Sequence, residues 1–256
     1  MLFLLRNIRR KLLTGNKVTT YLLYAIGEII LVVVGILIAV SIDDWNKKKE
    51  QNQRRLELIR NLKSDVEADL KRLEGSLKVA ENINSSSLTF LDIASTANDE
   101  IPTDSLVKYA STTFYLATFK PLTSTYSTAQ STGDIGLLQD KQLLELFLDY
   151  EESYEWLELH AKISGDMVYK GSHWELRKKL GANYLLLLET KEYAPPERFK
   201  LPEEEMRAYL LSKEFYATFE NMHWIQRNIY RALHRLNELD STINQRLDIL
   251  LKPDKE

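Results

Sequence analysis

Hydrophobic positions along this chain fall into one long apolar block and three helical stripes. The block, Tyr21–Ile42, holds 18 apolar residues in 22 and one charge, Glu28. At about 1.5 Å per residue it makes a helix about 33 Å long, enough for a hydrocarbon core of about 30 Å. The first stripe is Ile59, Leu62, Val66, Leu70, Leu73, Leu77, Ala80 and Ile83, in steps of three and four. Asp43 to Thr96 contains no proline and one glycine, so the pattern predicts a single helix leaving the block, with Asn84–Ser87 as the place for a bend. The second stripe, Leu143, Phe147, Tyr150, Tyr154, Leu157 and Ala161, predicts a helix from Lys141 to about Leu180, with Gly165 and Gly171 as weak or close-packing points. The third is the cleanest heptad. Phe215, Met222, Ile229, Leu236, Ile243 and Leu250 hold one seam position, and Phe219, Gln226, Leu233, Asp240 and Leu247 the other. It predicts a helix over Lys213–Leu251, capped by Ser212.

Shorter elements are read from their punctuation. Gly15-Asn16 is a turn. Leu2, Leu5, Ile8 and Leu12 share a face in Met1–Thr14 among Arg6, Arg9, Arg10 and Lys11, which reads either as an interfacial helix on an anionic leaflet or as a loosely ordered basic flank. Ala97–Pro102 ends the first long helix, and Thr103 is placed to cap a short one. Thr123 or Ser124 caps another that Gly133 closes, Asp134-Ile135-Gly136 turns, and Asp140 caps the second long helix. Leu185–Leu188 extends that helix or docks on the core. Tyr193–Pro202 is a loop, and Pro202 starts a short helix with acids in its first turn.

These elements predict an all-α chain with a single N-terminal transmembrane helix continuing into an elongated up-down bundle with coiled-coil-like seams, the last helix returning along the first. The division expected is a basic amphipathic segment over 1–20, the membrane helix over 21–42 and a helical domain over 43–256. Tyr21, Tyr24 and Trp45 stand as aromatic belts at its two ends. A cleaved signal peptide is disfavoured by the length of the apolar run and by Glu28. Asp43-Asp44 and the short basic tail favour a cytoplasmic N-terminus and a periplasmic main domain at a bacterial inner membrane.

Charge and composition narrow the role. Residues after 42 carry a net charge of about −7, against the basic face that nucleic acid requires. Cysteine is absent, which excludes thiol catalysis, disulfides and Cys-based zinc sites. No phosphate-binding loop, nucleophile elbow, HExxH or dinucleotide fingerprint occurs, and no cofactor is expected. Glu220-x-x-His223 is half of a di-iron carboxylate signature, but His160, His173 and His234 lack the matching Glu, so no metal site is expected. His173-Trp174 and His223-Trp224 read as packing pairs or as two halves of an aromatic ligand site. Ser111–Gly133 has 11 Ser or Thr in 23 residues; such hydroxyls either line a polar pocket or bond their own backbone.

The most specific clue lies in the apolar block. Tyr24, Glu28, Gly35 and Ala39 share one helical face, and Gly35-x-x-x-Ala39 is a small-xxx-small pair that lets another helix approach. A carboxylate there is expensive. The face packs on a partner helix or its own copy, or Glu28 relays an ion, or it snorkels or bonds Tyr24. Gln226 and Asp240 interrupt the apolar seam, either fixing register and partner choice or facing water where the seam splays.

The run YLLYAIGEIILVVVGILIAVSIDDWN, preceded by IRRKLLTGNK, resembles the N-terminus of a bacterial family of uncharacterised single-pass membrane proteins. TYSTAQSTGDIGLLQDKQLLELFLDYEE is similar to that family's second recurring segment, although Asp43-Asp44-Trp45-Asn46 stands where the family often has Asn-Asn-Trp-Asn. The resemblance implies an inner-membrane protein with a helical domain. It implies no activity and no functional residues. The function expected is a membrane-anchored scaffold, homo-oligomeric or with a partner transmembrane protein in the lipid bilayer. A bundle that senses a small polar ligand near 111–133 is the alternative; an enzyme is not expected.

Overall fold

The computed structural model describes residues 17–96, 100–180, 198 and 201–252. The described residues are helical, without strands. They form α1 (Lys17–Thr96), α2 (Thr103–Ser111), α3 (Ser124–Thr132), α4 (Lys141–Tyr169), α5 (Ser172–Leu180), α6 (Glu203–Leu210) and α7 (Lys213–Leu251). 3-10 turns occupy Thr112–Phe114 and Asp134–Leu138. Two compact units divide the chain, Met1–Glu57 and Leu58–Glu256. The expectations for Met1–Thr14, Gly15-Asn16 and Leu185–Leu188, and most of that for Tyr193–Pro202, lie outside the described residues.

In the first unit, α1 carries an apolar window long enough to cross a membrane, none of it buried. Ser41, the hydroxyl within the block, donates to the Leu37 carbonyl at 2.8 Å, which satisfies it within its own helix. Just past the block, Lys47 pairs with Asp43 at 2.7 Å, and Lys49 lies over the Trp45 ring.

The second unit is a bundle of α4, α7 and the later part of α1. The first-stripe residues Ile59, Leu62, Val66, Leu73, Ala80 and Ile83 are buried with Leu143, Phe147 and Leu157 of α4 and with Ile229, Leu233, Leu236, Ile243 and Leu247 of α7. Cross-helix pairs fix the directions. Lys63 donates to Asp248, while Phe90 packs on Phe219 with ring centroids 4.3 Å apart, so α1 and α7 run antiparallel. Arg246 reaches Asp140 and Ser164 reaches Met222, so α4 and α7 also run antiparallel. The last helix does return along the first.

A second core lies beyond the three-helix seam. Phe90 and Ile93 of α1 meet Leu106 and Ala110 of α2, Leu176 of α5, Met206 and Leu210 of α6, and Phe215 and Phe219 of α7. Short helices thus close one end of the bundle. Each is too short to be stable alone and is held by the face it buries.

Local details correct three expectations. Pro102, not Thr103, holds the N-cap position of α2, and no side chain caps that helix. Thr123 occupies the N-cap of α3 without a side-chain bond. The second long helix does not run to Leu180: it stops at Tyr169, and α5 begins at Ser172. Gly171 lies in the break, where a Cβ would stand 3.1 Å from the Met167 Cα, a close approach that glycine permits. Gly165 leaves α4 unbroken, and α1 runs through Asn84–Ser87 as regular helix. Gly133 closes α3 at φ 81°, in the left-handed region glycine tolerates. Ser212 caps α7 through the Phe215 N–H, as its sequence predicts.

Candidate functional site

Tyr24, Glu28, Gly35 and Ala39 are all exposed along α1. Nothing stands within 4 Å of a Cβ built on Gly35, so the small-residue face is open. No described side chain meets the Glu28 carboxylate.

Gln226 and Asp240 lie inside the bundle, each 2% exposed. Gln226 donates to Ser164 Oγ at 3.0 Å and to the Tyr115 carbonyl at 3.3 Å. It ties α7 to α4 and to the strap after α2. Asp240 accepts from Tyr150 Oη at 3.3 Å. Burial, the nearby Asp69 charge second, pushes the Asp240 carboxyl up to about 8. Burial, with the Asp240 charge, also raises the Tyr150 phenol.

Asp69 is the third member of this node. It sits on the buried side of α1, accepts from the Leu122 N–H at 2.8 Å and pairs with Arg72 at 3.1 Å. Burial raises its carboxyl, against the opposing pull of the Leu122 N–H and Arg72. Three helices therefore converge on two carboxyls and a phenol in a setting that disfavours charge. Asp69 was readable as an acid three residues after Val66 and four before Leu73, on the stripe itself rather than beside it. A second buried carboxylate, Asp140, caps α4 through the Leu143 N–H at 2.8 Å and takes Arg246 Nε at 2.8 Å. Burial pushes Asp140 up, but Arg246 and the Leu143 N–H outweigh it, and its carboxyl is held below the usual range.

No group of three or more metal-ligating side chains occurs among the described residues. His173 is fully buried against the Phe114 edge, with neither ring nitrogen hydrogen-bonded. Burial lowers its imidazole to about 4. His223 is buried with Nδ1 unpartnered. Trp174 and Trp224, their sequence neighbours, both stand exposed.

Five of the eleven Ser and Thr hydroxyls of 111–133 are shown turning to their own backbone. Ser111 donates to Lys108, Thr112 to Tyr109, Ser127 to Thr123, and Ser131 and Thr132 to Thr128. These bonds occupy five of the donors that a polar pocket could use.

The outward face of α4 is unlike the rest of the bundle surface. Leu148, Trp156, Leu159 and Ile163 are exposed along one stripe. Trp156 packs on His160 at 4.3 Å between ring centroids, and His160 lies 6.2 Å from the exposed Trp224 of α7. Glu152 lies within the stripe, one turn from Leu148 and from Trp156, while Glu155 of α4 and Arg231 and Arg235 of α7 border it, around a shallow depression of about 620 Å³. Tryptophans that a closed core leaves outside are the residues on which interfaces most often turn. Sequence reading missed this face because the α4 heptad was followed only on its buried side.

A model of a family of unknown function (DUF6090) matches residues 28–171. The match opens at Glu28 and takes in Gly35, Ala39, Asp69, Tyr150 and the α4 stripe. No curated protein matches. No solved structure matches.

Proposed function

The chain belongs to the family of unknown function DUF6090, and we propose that it is a membrane-anchored interaction protein that assembles with a second copy of itself. The apolar block of α1 spans a bacterial inner membrane, with the N-terminus cytoplasmic and the bundle periplasmic. The exposed stripe of Leu148, Trp156, Leu159 and Ile163 on α4, with Trp224 of α7, is the observation that carries this reading. The stripe carries Glu152 within it and Glu155 at its acidic edge, and Arg231 and Arg235 at its basic edge. An isologous contact sets one copy's acidic edge against the other's basic edge, so the same surface serves both partners. In the membrane, Gly35 and Ala39 admit a neighbouring helix, and Glu28 finds its partner there.

The buried polar ties support the same reading. Gln226 and the Asp69–Tyr150–Asp240 node fix which helices meet and in what register. The alternative, sensing a polar ligand at 111–133, is disfavoured by the hydroxyls' bonds to their own backbone.

The test is the mass of the micelle-extracted protein by light scattering with detergent subtracted. The wild type is expected as a dimer, and Trp156→Glu with Leu159→Glu as a folded monomer. A wild-type monomer across the micromolar range contradicts the proposal.

A further inference from the structure

On the proposal that two copies meet through the α4 stripe, the charges along its two long edges fix how the copies face each other. α7 borders one edge, where Arg235 stands 3.8 Å from Asp149 of α4. At about 100° per residue, Glu155 lies about 120° around α4 from Asp149, with Trp156, Glu152 and Leu159 between them. Glu155 therefore marks the far edge, which Glu151, Glu158 and Lys162 share, and all four are exposed. On α7, Glu220, Arg227, Arg231 and Arg235 follow one another in steps of seven and four along a single exposed face. Two contacts align the antiparallel helices, Asp149 with Arg235 and Ser164 with Met222. Counting along α4 and α7 from these contacts puts Glu151 level with Arg235, Glu155 with Arg231, Glu158 with Arg227 and Lys162 with Glu220, each within about one helical turn. The far edge of α4 thus reads acid, acid, acid, base. The α7 column reads base, base, base, acid at the same heights.

From this order of charges we infer that the two copies pair in parallel, with the two-fold axis running along the helices. Rotation about such an axis keeps every residue at its own height and sets the far edge of α4 against α7 of the other copy. Opposite charges then face each other at all four levels. Rotation about an axis across the helices instead sets the arginines of α7 against themselves and the acidic edge of α4 against itself, which costs affinity. Arg235 already stands 3.8 Å from both Asp149 and Glu238. Glu155 and Arg231 form no ion pair among the described residues, so the contact between one copy's Glu155 and the other's Arg231 carries most of the preference. Parallel copies bring Leu58, where the bundle unit begins, to the same end of the pair. That is a pairing of two chains in one membrane rather than between two membranes.

The test uses the full chain in micelles, spin-labelled at a single introduced cysteine, Lys141→Cys at the start of α4 or Lys170→Cys at its end. Pulsed dipolar spectroscopy reads the distance between the labels of the two copies. Parallel pairing predicts less than about 30 Å at both positions, from a helix spacing of about 10 Å and two label arms. Antiparallel pairing about Trp156, the middle of the stripe, predicts about 45 Å at both, from about 15 residues on either side at about 1.5 Å each. Charge reversal gives a second reading by light scattering across a dilution series. Arg231→Glu and Glu155→Arg each weaken the dimer at least about tenfold, and the two together in one chain restore it, since each copy's Glu155 meets the other's Arg231. Both side chains are exposed, and the melting temperature is expected to stay that of the wild type. A dimer with labels about 45 Å apart, or a double variant that stays as weak as the single ones, overturns parallel pairing and leaves self-association standing. A wild-type monomer overturns both.

Discussion

Arg246 donates from both Nε and Nη2 to one carboxylate oxygen of Asp140, at 2.8 and 2.7 Å, while the other oxygen caps α4 through Leu143. One side chain thus starts a helix and fastens it to the far end of α7, 106 residues away. Asp140→Ala loses the cap, worth about 1 kcal/mol, and strands a half-buried guanidinium, for a total of about 2–4 kcal/mol. Asp140→Asn keeps an acceptor for Leu143 and costs less. Urea unfolding followed by circular dichroism measures both. Equal losses for Ala and Asn place the whole effect in the ion pair rather than the cap.

Asp240 makes stability fall as pH rises. Its carboxyl is held up to about 8 in the fold against an ordinary 3.8. The folded state therefore binds more protons across that window. The stabilisation is complete below about pH 4 and is lost through pH 8, at a slope of up to about 1.4 kcal/mol per unit. Asp240→Asn removes this slope between pH 6.5 and 8. Melting temperatures across that range check it, and a slope unchanged in Asp240→Asn contradicts the buried-node description.

His173 acts with the opposite sign. Its imidazole is lowered to about 4, so the unfolded chain takes up the proton first. Stability from this residue is complete above about pH 6.5 and declines as pH falls toward 4, by about 3 kcal/mol in all. His173→Leu also removes two unpartnered ring nitrogens from an apolar site beside Phe114. The variant is expected to unfold at lower pH than the wild type and to be at least as stable at pH 7.5. Acid titration of the tryptophan emission gives the comparison; coincident acid transitions count against it.

In the membrane segment, Glu28→Leu keeps the helix apolar and removes the group proposed to need a partner, while Gly35→Ile blocks close approach. Gly35→Ile is expected to weaken transmembrane association at least fivefold in a reporter of helix pairing, and Glu28→Gln to weaken it less than Glu28→Leu. Wild-type pairing in both Gly35→Ile and Glu28→Leu removes this face from the assembly.

The heptad of α7 was legible residue by residue, because a helix buried along its length writes its environment into a strict period. Its seam positions from Phe215 to Leu247 are all buried. Caps at Asp140 and Ser212 and the Gly133 stop were legible for a similar reason, since each is a local bond or a backbone sign. The second core was not. Phe90, Leu106, Leu176, Met206 and Phe215 come together through packing of distant short helices, and no local pattern encodes that. Gly171 was singled out, yet the helix break needed the Met167 backbone contact to become visible. The buried node was legible to different degrees: Asp240 interrupts a strict heptad seam, whereas Asp69 stands on the looser α1 stripe, where the many acids of that helix mask it.

Self-association through the α4 stripe is tested most directly by cysteine cross-linking in native membranes. The chain contains no cysteine, so each introduced thiol reports alone. Cysteines placed singly at Leu148, Leu159 and Ile163 are oxidised in intact membranes, with Lys71→Cys as an exposed control on α1. The account predicts a cross-linked dimer from at least one stripe position, lost when Trp156→Glu is added, and little from Lys71→Cys. Cross-linking no greater along the stripe than at Lys71 would contradict it.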